Sequence, residues 1–496
     1  MDDVTPFAVV LLIASLVGLV AVLSNRLGEW LPVPAPALFL IGSAAASDIW
    51  PSLGRIPITV VEEIVTVALV VILFDGGMQI GWRRFRANAG AITWIGVAGT
   101  LVTAAAVAFA AHTCFGLDWR IALLLGTALS PTDPAVVFSV LGRRQIAGRG
   151  GVVLQGESGA NDPVGIALLV VLLGASRIDM QSIGSILGEF AVQIIVGAAA
   201  GLAGGLGLLW FMRRVPLPAA GLYSLRVLMC VIAIYGATTL AHGSGFLAVL
   251  VAGIVIGGQR APYRADIERF HSALASLGEI VAFVMLGFTI QVTGPHGVVD
   301  GGAWWIGLLL AVLLTLVVRP LLVGALIWRM RLAMGERLFI LWTGLKGAVP
   351  ILLGTYILRA GVPDAQRAYE IIFVVVAFSV IVQGSVVPFL ARRLGIPLQT
   401  VNPRPWTMNA RFEEEPDSLH RFTVAAGSVA DGTTVAELPS DDLWVSVIIR
   451  RGRLVTVTPE TLLLSGDEVM VLAEPGSRAT VSSLFTSDTI GPQQSS

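Results

Sequence analysis

The chain has 496 residues, 55% hydrophobic and only 13% charged, with a mean hydropathy of +0.83. Soluble domains carry roughly 25% charged residues, so an ordinary soluble enzyme is excluded, and no nucleophile–base set or Gly-rich phosphate loop stands out. A net charge of −1 offers no field for nucleic acid, and two cysteines with five scattered histidines form neither a disulfide scaffold nor a metal site.

Met1-Asp2-Asp3 lacks a basic leader, so the first apolar run is expected to be kept as a spanning helix. A bilayer crossing needs about 20 apolar residues. Runs of that kind predict about 13 transmembrane helices, near residues 6–25, 33–48, 58–77, 90–112, 119–141, 150–175, 182–212, 223–241, 244–258, 273–292, 303–328, 337–359 and 369–391. The second and ninth are short enough for a partly re-entrant course.

Basic residues collect at every other loop: Arg26; Arg83, Arg84 and Arg86; Arg143, Arg144 and Arg149; Arg213, Arg214 and Arg226; Arg260 and Arg264; Arg329 and Arg331; Arg392 and Arg393. Basic loops face the cytoplasm, which predicts an inner-membrane protein with its N-terminus outside and its C-terminus inside. A span count wrong by one would break this alternation.

The expected domains are a membrane region over residues 1–394, a polar, proline-bearing linker over 395–419, a small cytoplasmic α+β domain over 420–485 and a disordered tail over 486–496. In the α+β domain, alternation predicts strands at Leu443 to Ile449, Leu454 to Val457 and Glu468 to Leu472, with a short helix over Thr434 to Leu438.

A charge at mid-bilayer depth costs a few kcal/mol or more, so each needs a partner or a task. The fifth span contains Ser130-Pro131-Thr132-Asp133-Pro134, where two prolines forbid a continuous helix. The sixth contains Glu157-Ser158-Gly159-Ala160-Asn161-Asp162-Pro163; if helical, Glu157 and Asn161 share a face, as do Ser158 and Asp162. A carboxylate one turn from a hydroxyl offers the oxygen ligands an alkali cation needs, and Asp162 can take a proton instead. The twelfth span holds Gly344-Leu345-Lys346-Gly347-Ala348-Val349-Pro350, a buried cation at a second break.

With spans 1–6 and 8–13 as two halves, the fifth of each is interrupted, which points to an inverted-repeat transporter site. Glu157 is expected to pair with Lys346, with ligation of the ion as its alternative role. Asp75 and Arg319 lie near predicted span ends, where charges also snorkel, and remain further candidates. Glu62 and Glu63 are read as interfacial. Gly197, Gly201 and Gly205 admit two readings, a dimer face or close packing inside one protomer.

Thr132-Asp133-Pro134, the Glu157 to Pro163 stretch, Phe74-Asp75-Gly76-Gly77 and the Gly344 to Pro350 stretch together resemble the NhaP/CvrA-type branch of the cation:proton antiporter-1 family, over the whole membrane region. Residues from Phe422 to Leu472 resemble a TrkA-C (RCK C-terminal) domain. The resemblance implies an all-α polytopic fold with crossed, broken helices, a homodimer in the lipid bilayer, and exchange of a monovalent cation for a proton. K⁺ is favoured over Na⁺, through the C-terminal resemblance. It also implies pH, cation and volume homeostasis.

By the family pattern Asp162, Ser158 and Thr132 match ion-site positions, Asp75 contributes, and Asp133 helps neutralise the broken helices. The Asn161-Asp162 pair goes with electroneutral exchange. The family usually carries Arg where this chain has Lys346, a flexible point charge in place of a bidentate fork. No resident cofactor is expected, although such C-terminal domains in the wider family bind small or nucleotide-type ligands. A ligand-gated cation channel is the reading of another class; no Thr-Val-Gly-Tyr-Gly-like filter supports it. An organic-anion carrier would want more basic residues in its spans than Lys346.

Overall fold

The computed structural model describes residues 34–50, 53–141, 144–146, 149–175, 182–259, 263–293, 298, 302–327, 332–400, 419–439, 443–451, 453–473 and 478–486, with Ser15 and Leu19. Most of the first expected span and of the linker, and nearly all of the tail, lie outside the described residues. The chain divides into two compact units, Met1–Trp406 and Thr407–Ser496.

In the first unit, α1 (Ala35–Ile49) is followed by α2 (Ile58–Thr93), which a π turn at Trp94–Gly99 joins to α3 (Thr100–Phe115). Gly81 kinks α2 with φ of 66°, a conformation that costs glycine nothing. Next come α4 (Trp119–Ala128) and α5 (Ala135–Leu141), separated by a non-helical stretch, then strand β1 (Arg144–Ile146) and α6 (Arg149–Gly174). After these run α7 (Ile183–Arg214), α8 (Ala220–Leu240), α9 (Gly245–Gly257) and α10 (Arg264–Phe288). Helix α11 (Ala303–Leu313) passes through a π turn, Leu314–Val318, into α12 (Arg319–Ile327). Helices α13 (Met334–Trp342) and α14 (Ala348–Arg359) form the second interrupted pair. The last span comprises α15 (Ala365–Phe378), a π turn at Ser379–Gln383 and α16 (Gly384–Arg393), and β2 (Leu398–Thr400) then pairs antiparallel with β1.

Each expected span from the second onward falls on one helix or on a helix pair in tandem. Among the described residues, seven helices are long and apolar enough to cross a membrane, and α1, α4, α9 and α14 are shorter apolar helices. The breaks at 129–134 and 343–347 split otherwise full-length spans, as the prolines and glycines there dictate.

Helix α9 is almost wholly buried. Gly197, Gly201 and Gly205 of α7 lie against Ser244, Ala248 and Ala252 of the α9 segment. Both series advance by four residues, so the two helices meet ridge on ridge at glycine separation. The glycine repeat therefore packs within one protomer. Glu62 is buried, 4% exposed, and pairs with Arg359 at 2.9 Å.

The second unit is a four-stranded antiparallel sheet in the order β3 (Leu419–Thr423), β6 (Glu468–Ala473), β4 (Leu443–Arg450), β5 (Arg453–Val455), with α17 (Arg478–Phe485) following β6. Val445, Ile448, Val469, Val471 and Phe485 centre its core, and Phe422 stacks on Phe485 at 5.1 Å. Of the expected elements, the three strands and the short helix (a 3₁₀ turn at Val435–Glu437) are present; β3 and α17 are additional.

Candidate functional site: two broken helices crossing at a buried carboxylate

Pro131 and Pro134 stop α4 and delay α5, leaving residues 129–134 as non-helical backbone inside the protein. Residues 343–347 do the same between α13 and α14. The two breaks meet through a backbone hydrogen bond, in which Asp133 N donates to Leu345 O at 2.8 Å.

Side chains of opposite sign attend this crossing. Lys346 Nζ donates to Ser130 O at 3.2 Å and Pro131 O at 2.9 Å, so the ammonium caps the carbonyl end of α4. The Asp133 carboxylate lies so close to Gly347, the N-cap of α14, that a Cβ there would collide with it. A cation at a helix C-terminus and an anion at a helix N-terminus each oppose the local dipole. Lys346 N in turn donates to Ser379 Oγ at 2.9 Å, and Ser379 Oγ donates to Gln383 Oε1 at 2.9 Å. Gln383 also bonds Trp342 O, which ties the π turn of the last span to the end of α13.

Helix α6 carries the third part of the site. Glu157, Ser158, Asn161 and Asp162 are all buried on it. Asn161 Nδ2 donates to Thr132 Oγ1 at 2.7 Å, joining α6 to the first break. Asp162 Oδ1 and Asn161 Oδ1 are buried and have no hydrogen-bond donor among the described residues. Asp133 and Lys346 are the charges that act on Asp162.

Glu157 does not pair with Lys346 as expected. Arg319 holds it instead, Nη1 to Oε1 at 2.8 Å and Nη2 to Oε2 at 3.2 Å, with both side chains 5% exposed. Arg319 also donates to Leu341 O at 3.0 Å and Ile340 O at 3.1 Å. The cause is depth. The arginine follows the π turn of its span and lies against Gly344, where any side chain would displace it. The guanidinium fork can satisfy both oxygens and two carbonyls at once; a lysine cannot. Lys346 is thus left for the α4 carbonyls.

Asp75 is buried on α2 but bonded to Gln79 (2.6 Å), and the charge acting on it is Glu268. Two residues absent from the sequence expectation do belong near the crossing. Ser379 and Gln383 give no signal in an apolar run.

Buried acceptor oxygens beside two interrupted helices, with fixed charges spent on the helix ends, are the features of a membrane transporter core. Comparison with known proteins agrees. The family model "Sodium/hydrogen exchanger, transmembrane" matches residues 11–393, and the TrkA-C domain model matches residues 419–486. The chain belongs to the sodium/hydrogen exchanger family and carries a C-terminal TrkA-C domain.

The K(+)/H(+) antiporter NhaP of Alkalimonas amylolytica is 33% identical over 425 residues, covering 84% of this chain and 73% of that protein. The K(+)/H(+) antiporter NhaP2 of Shewanella sp. (strain ANA-3) is 30% identical over 485 residues, covering 96% and 83%. The Na(+)/H(+) antiporter ApNhaP of Aphanothece halophytica is 24% identical over 351 residues, covering 68% and 65%. The solved structure of the sodium proton antiporter MjNhaP1 from Methanocaldococcus jannaschii superposes with a TM-score of 0.63 at 21% identity, over 78% of this chain and 99% of that one, which establishes the shared fold.

Proposed function

We propose that the protein exchanges a monovalent cation for a proton across the inner membrane, with K⁺ preferred to Na⁺, and that Asp162 is the exchange site. One observation carries this reading: Asp162 presents a buried oxygen with no donor among the described residues, on α6 where Asn161 bonds Thr132 of the first break. An ionised carboxylate is an acceptor only, so a proton or a dehydrated alkali cation completes it, never both together. A site that must be loaded to cross then couples the two ions by competition. Asn161 and Thr132 hold each other beside it, and Ser158 lies one turn away on α6 as a further oxygen ligand. The Asp133 and Lys346 charges stay on the helix ends and do not move with the ion.

The preference for K⁺ rests on the relatives named K(+)/H(+) antiporters, which match more closely than the one named for Na⁺. Electroneutral one-for-one exchange, a homodimer, an outside N-terminus with the arginine-rich loops in the cytoplasm, and control of transport by the TrkA-C domain belong to the same proposal. The Na⁺/H⁺ exchanger is the second reading, favoured by the ApNhaP match.

Everted vesicles containing the overexpressed protein, energised acid-inside and monitored with a pH-sensitive dye, test this directly. K⁺ should dequench the dye, and Asp162→Asn should abolish the response with the protein still present in the membrane. Dequenching by Na⁺ alone would overturn the choice of ion. Substantial exchange in Asp162→Asn would overturn the site. Silence with both ions, also without residues 407–496, would turn attention to a channel or an organic-ion carrier.

A further inference from the structure

A cavity of about 700 Å³ takes no part in the exchange mechanism, and none of the residues at the helix crossing lines it. Arg83 and Arg86 of α2 line it together with Arg213 of α7, and Trp82 and Gln259 complete its wall. None of the described residues lining it is acidic. Arg83 and Arg86 are exposed, and neither has an ion pair or hydrogen bond among the described residues.

The backbone builds this arrangement. Helix α2 kinks at Gly81, with φ of 66°, so the chain leaves the straight helix immediately before Trp82. Past the kink it runs against the end of α9: a Cβ on Gly257 would strike Met78, and one on Gly258 would strike Trp82. Arg83 and Arg86 are three residues apart and so emerge on one face of the following turn. Arg213 stands in the last turn of α7. The cavity therefore lies where α7 and α9 end and where α2 has passed beyond its apolar run.

A structural role alone does not explain the cluster. A cation in the last turn of a helix answers its dipole, which suits Arg213 but not Arg83 and Arg86, well inside α2. Basic residues at span ends also fix topology, but that role needs no cavity shared between two helices. A guanidinium keeps its proton, so three of them around one space with no acid in its lining favour an anion there. Their planar forks match phosphate oxygens two at a time. The volume falls within the range of small-ligand sites, about 300–1,000 Å³. An indole is also the side chain that spans place at headgroup level, and basic pockets between spans hold phosphate headgroups.

We propose that this cavity binds a phosphate-bearing anion, supplied by the headgroup of an anionic phospholipid in the leaflet on the arginine-rich side. Arg83 and Arg86 hold the phosphate, and Arg213 adds a charge from α7. Occupancy ties α2 to α7 across the end of α9. The site does not depend on which ion is transported, so it stands or falls apart from the exchange reading.

The test follows the melting temperature of purified full-length protein in neutral detergent as a ligand is titrated, since a ligand held by the folded state alone raises it. The probes are phosphatidylglycerol, phosphatidylcholine and inorganic phosphate. Phosphatidylglycerol should raise the melting temperature, and phosphatidylcholine should not. The double variant Arg83→Gln/Arg86→Gln should need about tenfold more phosphatidylglycerol for half the effect, equivalent to about 1.4 kcal/mol. Arg84→Gln/Arg214→Gln removes two exposed charges that do not line the cavity and should leave the half-maximal concentration at the parental value. Equal losses in the two double variants would reduce the effect to diffuse surface charge and overturn the site. A gain that persists unchanged in Arg83→Gln/Arg86→Gln overturns it too, as does no gain with either phosphatidylglycerol or inorganic phosphate. A gain with inorganic phosphate alone, lost in Arg83→Gln/Arg86→Gln, supports the anion site and overturns the lipid as its source. Should that double variant not accumulate, Arg86→Gln decides: a raised half-maximal concentration supports the site, and a parental one overturns it.

Discussion

Glu157 and Arg319 show how much one residue's depth decides. A carboxylate and a guanidinium, each nearly inaccessible, are stable in this interior only as a pair, and removing one partner of such a pair costs about 3–5 kcal/mol. Glu157→Ala should therefore lower the melting temperature of the detergent-solubilised protein and reduce its membrane content more than Asp162→Asn does. Asp162→Asn removes a charge whose Oδ1 receives no hydrogen bond among the described residues, so its effect should fall on exchange and not on the fold. Arg319→Lys is expected to behave like a loss of the pair, because an ammonium cannot serve both Glu157 oxygens and the carbonyls of Ile340 and Leu341 together. Thermal melts of these variants check the ordering; parental stability in Arg319→Lys would contradict it.

At the scale of elements, the site depends on glycines that admit neighbours where a side chain would stand. A Cβ at Gly347 meets the Asp133 carboxylate. Gly347→Ala should push that charge off the α14 N-terminus and abolish most exchange with only a modest change in melting temperature. Gly201→Leu acts differently, by forcing α7 off α9; overpacking costs typically 1–3 kcal/mol, and about that loss is expected with low membrane content. Dye assays paired with melts on both variants separate the two effects. The breaks themselves were legible in the sequence, because Pro131, Pro134 and Pro350 remove backbone donors wherever they fall. So was the shared face of α6, since a four-residue spacing becomes geometry once the segment is helical. The partner of Glu157 was not legible. It lies 162 residues away, and the π turn that places Arg319 leaves no mark in the run Leu-Leu-Thr-Leu-Val-Val. Ser379 and Gln383 were hidden for the same reason. In the small domain, β3 lacks the alternation of its sheet partners, and α17 is too short to show a period.

Across the whole molecule, the two units meet different solvents and keep their charges differently. In the membrane unit the charges terminate half-helices; in the TrkA-C unit they lock a sheet. Asp467, itself 1% exposed, accepts from Arg450 Nε and Nη2 at 2.9 and 2.8 Å and from Leu464 N at 2.9 Å. Burial pushes this carboxyl up, but the hydrogen bonds from Arg450 and Leu464, with the Arg450 charge, prevail and hold it below the usual aspartate value. A carboxyl depressed by folding binds fewer protons folded than unfolded, so it stabilises the fold above the ordinary value near 3.9. That contribution is lost as the pH falls from there through the depressed value. Hydrogen exchange on the full-length protein should accordingly show protection across β4 and β6 that is flat near neutrality and declines below about pH 4. Asp467→Asn keeps the shape but not the charge. It should cost about 1.5–3 kcal/mol at pH 7, the range for hydrogen bonds to a charged group, discounted toward the lower end because Arg450 is partly exposed. It should also flatten the acid limb. If residues 407–496 govern transport, the same substitution will alter the cation response of the vesicles with Asp162 untouched; an unchanged response alongside weakened protection would separate the domain's stability from its control of the exchanger.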